Sequence, residues 1–449
     1  MKEDTIAAVA TPPGFGAISI IRVSGPDTFR VADLIFEGKR KISESESHTI
    51  HYGRLVNTLG NTMDDVLISV FRAPNSYTGE DSVEINIHGS PFIAKVVLEE
   101  LIRFGLKLAE PGEFTKRAFI NGRLDLSQAE AVADVIRSST DASLRGARNQ
   151  LDGLLSQKVS ELRALLTNLS SFVELELDFS EEDIKFMGKE KLNAGIDEII
   201  KEIDALLSTY SFGRIIRDGI NVVIVGQPNV GKSSLLNYIL KESRAIVSHI
   251  PGTTRDIIRE EVSMDGILIK LYDTAGIRFS EDEIEKEGVN RSREAVKNAD
   301  IVVFLGDVDR GFSEEIFKEI SDLSISGKIF KVMNKADLDV NSAFNAEIKI
   351  SAKTGLGIKE LLKKIKDSAL SSSSFSEKTA IISTLRHYNC LEEARKNLLN
   401  AKDSISQEMS GEFISVDLRS AEQSLAEIIG VVTSDDILNN VFSKFCIGK

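Results

Sequence analysis

Gly226-Gln227-Pro228-Asn229-Val230-Gly231-Lys232-Ser233 is the stretch on which the reading of this chain turns. It follows Ile220–Val225, an apolar β-branched run that predicts a buried strand, and precedes Ser234–Leu240, a predicted helix. In GxxxxGK[ST] between strand and helix, the glycines let backbone N–H groups turn inward around phosphates, and the helix start adds positive potential. Val230, Gly231 and Ser234 belong to this cradle. Lys232 is placed to bridge β- and γ-phosphates, and Ser233 to ligate Mg²⁺. The loop alone leaves ATP and GTP both open.

Elements further along the chain decide between the two purines. Asp273-Thr-Ala-Gly276 follows a predicted strand, Ile267–Tyr272, with Asp273 expected to hold Mg²⁺ through water and Gly276 to offer its N–H to the γ-phosphate. Asn334-Lys335-Ala336-Asp337 follows the run Lys328–Met333. The Asp337 carboxylate can accept both N1–H and the exocyclic amine of guanine, a pair that adenine lacks, so the wrong base would leave a carboxylate unpaired. Ser351-Ala352-Lys353 follows the last predicted strand and is placed to contact guanine O6. Pro251-Gly252-Thr253-Thr254-Arg255-Asp256 lies between the phosphate loop and Asp273; one threonine, with Thr254 preferred, is expected to reach Mg²⁺ when GTP is bound.

The hydrolytic group is less legible. Ras-like enzymes place a water-orienting glutamine just after DxxG, and here that position is Ile277, which accepts no hydrogen bond. Glu281-Asp282-Glu283-Ile284-Glu285 supplies carboxylates nearby, although composition alone reads that run as a solvated acidic turn. Arg255 and Arg278 are possible arginine fingers. A bound cation is the alternative, and Asn229 offers a neutral oxygen for a monovalent ion.

Around this core the chain divides by pattern. The fold class is multidomain α/β plus all-α. Residues 1–118 read as mixed α/β, with β-rich runs at Ala17–Val23 and Val83–His88 and turns at Pro12-Pro13-Gly14 and Pro74-Asn75. Residues 119–218 turn helical from about Leu126; Leu151, Leu155, Val159, Leu162, Leu166, Leu169 and Val173 fall on one stripe, read as a bundle core face. Residues 219–375 alternate strands and helices as a parallel sheet does, with Asp300–Leu305 a further strand, and close at Ser371–Ser374, a linker. Residues 376–449 return to helix, with Leu418, Ala421, Leu425 and Ile428 on one face. An inserted nucleotide-binding domain splitting a helical one is the simplest architecture.

Bulk properties limit the classes. The 449 residues are 42% hydrophobic and 28% charged, with net charge −14, two cysteines and no tryptophan. The balance is globular, no apolar run reaches membrane-spanning length, and no signal peptide is read, so the cytoplasm is expected. Cys390 and Cys446 form neither a disulfide framework nor a zinc motif. An acidic chain gains little from non-specific attraction to phosphate backbones, so nucleic acid would be met through a local patch or a basic partner. Arg137, Arg145 and Arg148 form a basic stretch on predicted helices, read as a solvated face before a tRNA contact.

The assembled motifs resemble the tRNA modification GTPase MnmE (TrmE) family from end to end. The resemblance rests on Ala10-Thr-Pro-Pro-Gly14, Arg22-Val-Ser-Gly25, Ala73-Pro-Asn-Ser-Tyr-Thr-Gly-Glu-Asp81, Pro111-Gly-Glu-Phe114, Leu124-Asp-Leu-Ser-Gln-Ala-Glu-Ala131, Gly226–Ser234, Gly252-Thr-Thr-Arg-Asp256 and the tail Phe445-Cys-Ile-Gly-Lys449. It implies an N-terminal domain that binds folate and dimerises, a split helical domain and an inserted G domain. It further implies a homodimer partnered by the flavoprotein MnmG (GidA) in a heterotetramer. Together these would add an aminomethyl or carboxymethylaminomethyl group to C5 of the wobble uridine of certain tRNAs, with the carbon drawn from 5-formyl- or methylene-tetrahydrofolate. Asn229, Ser248, Ile250 and Thr253 fall on the family's K⁺ positions, Ser248 replacing the usual threonine. Glu285 falls on the glutamate that positions the attacking water. Arg22, Glu80, Arg123 and Lys449 fall on folate-associated positions, Arg123 standing where some relatives have lysine, and Cys446 lies close to the folate as a candidate nucleophile. Without the resemblance these four read as surface charges, or Glu80 as a helix cap near Thr78. Two other readings compete: a GTPase that switches a binding surface in ribosome assembly, and a one-carbon transferase gated by its G domain.

Overall fold

The computed structural model describes residues 4–178, 188–242, 259–273, 293–323, 327–338, 345–370 and 379–449. Ser248, Ile250, Thr253, Thr254, Arg255, Gly276, Ile277, Arg278, Glu285 and the Ser371–Ser374 linker lie outside these residues, as does the side chain of Asp273. The chain forms two compact units, 1–133 with 425–449 and 134–424. No helix among the described residues is long and apolar enough to cross a membrane.

The first unit is built on a seven-stranded sheet. Its elements are β1 (Ile6–Val9), β2 (Ile18–Ser24), α1 (Thr28–Ile35), β3 (Phe36–Gly38), β4 (Thr49–Val56), β5 (Thr62–Phe71), β6 (Ser82–His88), α2 (Pro91–Arg103), β7 (Lys107–Leu108), α3 (Glu113–Ile120) and α4 (Leu126–Arg137). The strand order is β3-β4-β5-β6-β2-β1-β7, antiparallel except for β1 beside β7. Alternation explains the layering. Ile21, Val23, Val66, Ile68, Val70, Val83, Ile85 and Ile87 are buried and pack with α1 and α2 residues such as Val31, Ile35, Val97 and Leu101. Strands β2 and β6 match the runs read from sequence to within a residue.

The second unit carries α5 (Asp141–Leu151), α6 (Leu154–Asp178), α7 (Lys189–Ser208), α8 (Tyr210–Asp218), β8 (Ile220–Gly226), α9 (Lys232–Glu242), β9 (Arg259–Met264), β10 (Ile267–Asp273), β11 (Ile301–Asp307), α10 (Glu314–Asp322), β12 (Lys328–Asn334), β13 (Ile348–Lys349), α11 (Ile358–Leu370) and α12 (Leu385–Ser406). Two further helices follow, α13 (Gly411–Ile429) and α14 (Asp435–Phe442), and the unit boundaries fall within α4 and α13. The expected leucine stripe is real from Leu155 to Val173, all buried on α6, each such side chain contributing about 1.5–3 kcal/mol by its burial. Leu151 is a correction: it ends α5 and is only half-buried. Asp152 caps α5, and Gly153 takes the left-handed φ of 89° that breaks the helix before α6 begins. Leu418, Ala421, Leu425 and Ile428 are fully buried on α13.

The six-stranded sheet has the order β13-β12-β11-β8-β10-β9 and is parallel except for β9, which pairs antiparallel with β10 across an Asp265-Gly266 turn. Its strands read as continuous apolar runs because both faces are covered. Val222 and Ile224 face one core with Leu235, Ile239 and Leu361, while Val223 and Val225 face another with Val296 and Ile320. Asp300 ties the entrance of this sheet together, accepting from Arg214 Nη2 at 2.5 Å and from the Asn221 N–H at 2.8 Å.

Candidate functional site

Parallel strands deliver their C-terminal ends to one edge, where ligands of open α/β sheets bind. Here β8, β11 and β12 end at Gly226, Asp307 and Asn334, and Asp307 stands opposite Asn334 in the register. The loop after β8 is bent by two left-handed residues, Asn229 at φ 67° and Gly231 at φ 98°. A side chain at Gly231 would collide with Asn334, since a Cβ would sit 2.3 Å from Asn334 Nδ2. Lys232 opens α9, and its Nζ donates to the carbonyls of Gly226 at 2.8 Å and Gln227 at 3.0 Å, folding the ammonium back over the loop. Ser233 and Ser234 follow in the first turn, where a helix offers N–H groups and a positive dipole end. These residues fit a polyphosphate: a charged amine, a glycine cradle and a hard hydroxyl oxygen for Mg²⁺ at Ser233. Val230 is buried beneath, and the exposed Asn229 side chain stands at the rim.

Asn334 joins this cradle to the base-recognition segments. Buried to 2% exposure, it donates through Nδ2 to the Val230 carbonyl at 2.8 Å and accepts through Oδ1 from the Ala352 N–H at 2.9 Å. One side chain thereby fixes the phosphate loop against the segment carrying Ser351 and Ala352. Across the same gap Ser351 Oγ donates to Asp337 Oδ1 at 2.6 Å, and the backbone of Thr354 donates to that Oγ at 3.2 Å. The Ser351 bond holds the Asp337 carboxyl below its ordinary value, so it stands ionised as an acceptor. Asn334, Lys335, Asp337, Ser351 and Ala352, separated by up to 18 residues in sequence, form one polar pocket wall.

Sequence reasoning missed Asp307. Its side chain is 2% exposed and receives Lys335 Nζ at 2.7 Å, the Arg310 N–H at 2.8 Å and the Asp309 N–H at 3.1 Å. Burial pushes this carboxyl up, but the Lys335 bond and the two backbone donors outweigh it and leave it lowered. The available signal was its place as the first charged residue closing the apolar run Ile301–Gly306.

A second polar group lies in the first unit. Arg22 on β2 pairs with Glu84, its cross-strand neighbour, at 2.8 Å, donates to the Gly448 carbonyl at 3.4 Å, and lies over the rings of Tyr77 and Phe114 at 5.3 and 5.6 Å. Burial, and then the Arg22 charge, push the neighbouring Lys449 ammonium below its ordinary value. Glu80 caps no helix; it accepts from Ser24 Oγ at 2.7 Å and from Arg117 Nη1 at 3.3 Å. Arg123 packs against Gly79 and lines a shallow cavity with Tyr77, His48, Phe71, Asn75 and Ser76. Cys446 is exposed, and its carbonyl accepts from the Gly112 N–H at 3.4 Å. The structure thus puts Arg22 beside Lys449, and Arg123 on the same cavity as Tyr77, whose ring Arg22 covers. Tyr77, Glu84, Phe114 and Arg117 had been read only as motif letters or not at all, because their partners lie far away in sequence. Arg137, Arg145 and Arg148 are exposed, and Arg148 pairs with Asp152 on the same helix end at 2.9 Å.

A mainly parallel sheet with this phosphate loop and a carboxylate-bearing base pocket defines a Ras-like P-loop GTPase. Comparison with known proteins sharpens the class. The chain matches the MnmE helical domain family over residues 126–446 and the family described as GTP-binding protein TrmE N-terminus over residues 5–123. It is 44% identical over 462 residues to the tRNA modification GTPase MnmE of Carboxydothermus hydrogenoformans, covering 100% of both chains. It is also 44% identical over 458 residues to that of Clostridioides difficile, covering 100% of this chain and 99% of the relative. A solved structure of Era from Aquifex aeolicus, bound to GDP and AlF4⁻, is similar over 40% of this chain and 66% of its own, with 27% identity and a TM-score of 0.28. The chain belongs to the tRNA modification GTPase MnmE family. It is a GTP hydrolase.

Proposed function

We propose that this GTPase works as a homodimer with the flavoprotein MnmG to place an aminomethyl or carboxymethylaminomethyl group on C5 of a wobble uridine in tRNA. The reading divides the chain into a folate-binding and dimerising domain at 1–118, a helical domain at 119–218 and 376–449, and a G domain at 219–375. It takes place in the cytoplasm.

The observation that carries the nucleotide part is the pair of hydrogen bonds linking Asn334 to Val230 and Ala352. It ties phosphate loop and base pocket together through one buried side chain, a contact that favours preorganised binding. Lys232 would exchange its two loop carbonyls for β- and γ-phosphate oxygens, and Asp337 would accept the two guanine donors. Mg²⁺, held by Ser233 with Thr254 and through water by Asp273, would neutralise charge on the phosphates, and K⁺ at Asn229, Ser248, Ile250 and Thr253 would supply the positive charge an arginine finger gives elsewhere. Glu285 would position the attacking water, and Gly276 would give its N–H to the γ-phosphate.

For the one-carbon unit, Arg22, Glu80, Arg123 and Lys449 would hold 5-formyl- or methylene-tetrahydrofolate near Cys446. The residue types support this: Arg22 over the Tyr77 ring, with the Lys449 ammonium near that guanidinium, suits a flat heterocycle bearing carboxylates. Mass spectrometry of wobble nucleosides from cells deleted for this protein, with and without complementation, tests the whole scheme. The modified uridine should vanish on deletion and return with the gene; an unchanged nucleoside profile overturns it.

A further inference from the structure

We propose that Asp307 is a positioning residue for guanine recognition: it holds the Lys335 ammonium away from Asp337 and so keeps the Asp337 carboxylate available to the base. The inference rests on the guanine reading of the pocket and adds to it a residue outside the nucleotide-binding motifs.

Lys335 and Asp337 sit in one tight turn, closed by the Leu338 N–H on the Lys335 carbonyl at 2.9 Å. Lys335 also takes a left-handed backbone, φ 63°. An ammonium on a four-carbon stem can reach a carboxylate two residues away, and opposite charges that close attract even where the carboxylate, like Asp337, is exposed. If that pair formed, guanine N1–H and its exocyclic amine would have to displace a cation to reach their acceptor. Asp307 removes the competition. Its two oxygens are divided: Oδ1 accepts the Asp309 and Arg310 N–H groups, and Oδ2 alone receives Lys335. The carboxylate is therefore pinned by its own loop, and the lysine, 33% exposed, is the partner that must come to it. The register sets the reach, since Asp307 on β11 faces Asn334 on β12, the residue before Lys335.

This division of oxygens makes Asp307→Asn a selective probe. The amide oxygen keeps the two backbone donors, while the amide nitrogen turns toward Lys335 and repels it. Full-length wild type, D307N, Lys335→Met and the double variant should be titrated calorimetrically with GDP and with inosine diphosphate, which lacks the exocyclic amine. D307N should weaken GDP by about tenfold and narrow the preference for GDP over inosine diphosphate, because a charged hydrogen bond has been redirected. In the Lys335→Met background the same D307N change should alter GDP affinity by less than about twofold, since the two residues act as one unit. An equal loss in both backgrounds would mean that Asp307 merely shapes the loop, and unchanged GDP affinity would remove it from recognition; either overturns the proposal. Asp307→Ser, tested in the same cycle, must give the same dependence on Lys335 should D307N fail to fold. Failure of the wild type to bind GDP would instead strike the guanine reading itself.

Discussion

Replacing Asn334 by alanine removes a side chain that bonds to both the phosphate loop and the Ser351-Ala352 segment. Two hydrogen bonds are lost, at 2.8 and 2.9 Å, and the alanine leaves the Val230 carbonyl and the Ala352 N–H facing a small void at a position 2% exposed. An unsatisfied buried group costs about 1–3 kcal/mol, so the pair costs about 2–6 kcal/mol unless water enters. If that cost falls on the ordering of the two loops, which the nucleotide must then restore, GDP affinity drops by about 30-fold at the low end and about 10⁴-fold at the high end, at 1.4 kcal/mol per decade. Asn334→Asp gives an internal control. It retains an acceptor for Ala352 but sets a carboxylate oxygen against the Val230 carbonyl, so the repulsion should make its loss at least as large as that of alanine. The assay is a titration of fluorescent GDP into the full chain, with thermal unfolding run in parallel to show that the sheet remains folded. Binding by Asn334→Ala within about threefold of wild type would refute the claim that this residue sets the pocket, since even the low end of the range is about 30-fold.

Three further outcomes are expected. GTP turnover should be faster in K⁺ than in Na⁺ at equal ionic strength, and equal rates would remove the cation from the hydrolytic scheme. Glu285→Ala should slow turnover by about 10²–10⁴-fold, the span of a lost proton-handling or water-positioning group, while GDP affinity stays put; a binding defect would reassign the residue. The exposed His88 imidazole should titrate above its ordinary 6.5, because Asp64 hydrogen-bonds it and attracts its charge. That pair therefore steadies the strands fully below the ordinary histidine pKa and ceases to do so as pH rises through the raised value; an NMR titration unaffected by Asp64→Asn would contradict it.

The nucleotide site was legible because its chemistry is written in contiguous letters. Gly226–Ser233, Asn334–Asp337 and Ser351-Ala352 each carry several residues of one function, and each follows a run apolar enough to be read as a strand. The first unit was half legible for the opposite reason. Strand β6 alternates cleanly, but β2 turns Ile18 outward at 63% exposure while burying Ser19, and β4 shows Ile50 and Tyr52 to solvent, exposed at 66% and 68%, so their apolar letters do not mark the buried face. Gly153 escaped notice because a stripe spaced by threes and fours passes over a break: Leu151 keeps the spacing after the helix has ended. Long-range pairs were out of reach altogether. Arg22 finds Glu84 through sheet register, and Glu80 finds Arg117 where the loop before β6 meets α3, and no local pattern states which elements are neighbours.

Net charge gave a true but coarse constraint. At −14 the chain repels polyanions at long range, yet the phosphate loop draws little on net charge. Its attraction comes from backbone dipoles held in place by buried neutral bonds and from one ammonium, Lys232, poised on the Gly226 and Gln227 carbonyls. Such fixed dipoles act within a few ångströms and cost no reorganisation when the ligand arrives, so an acidic protein can bind a triphosphate without a basic surface. A tRNA backbone is another matter, since it is read over many phosphates and by displacing counterions. In the exposed stretch of Arg137, Arg145 and Arg148, Arg148 is already engaged by Asp152. The same acidity that leaves GTP binding untouched therefore gives little long-range pull on a tRNA backbone.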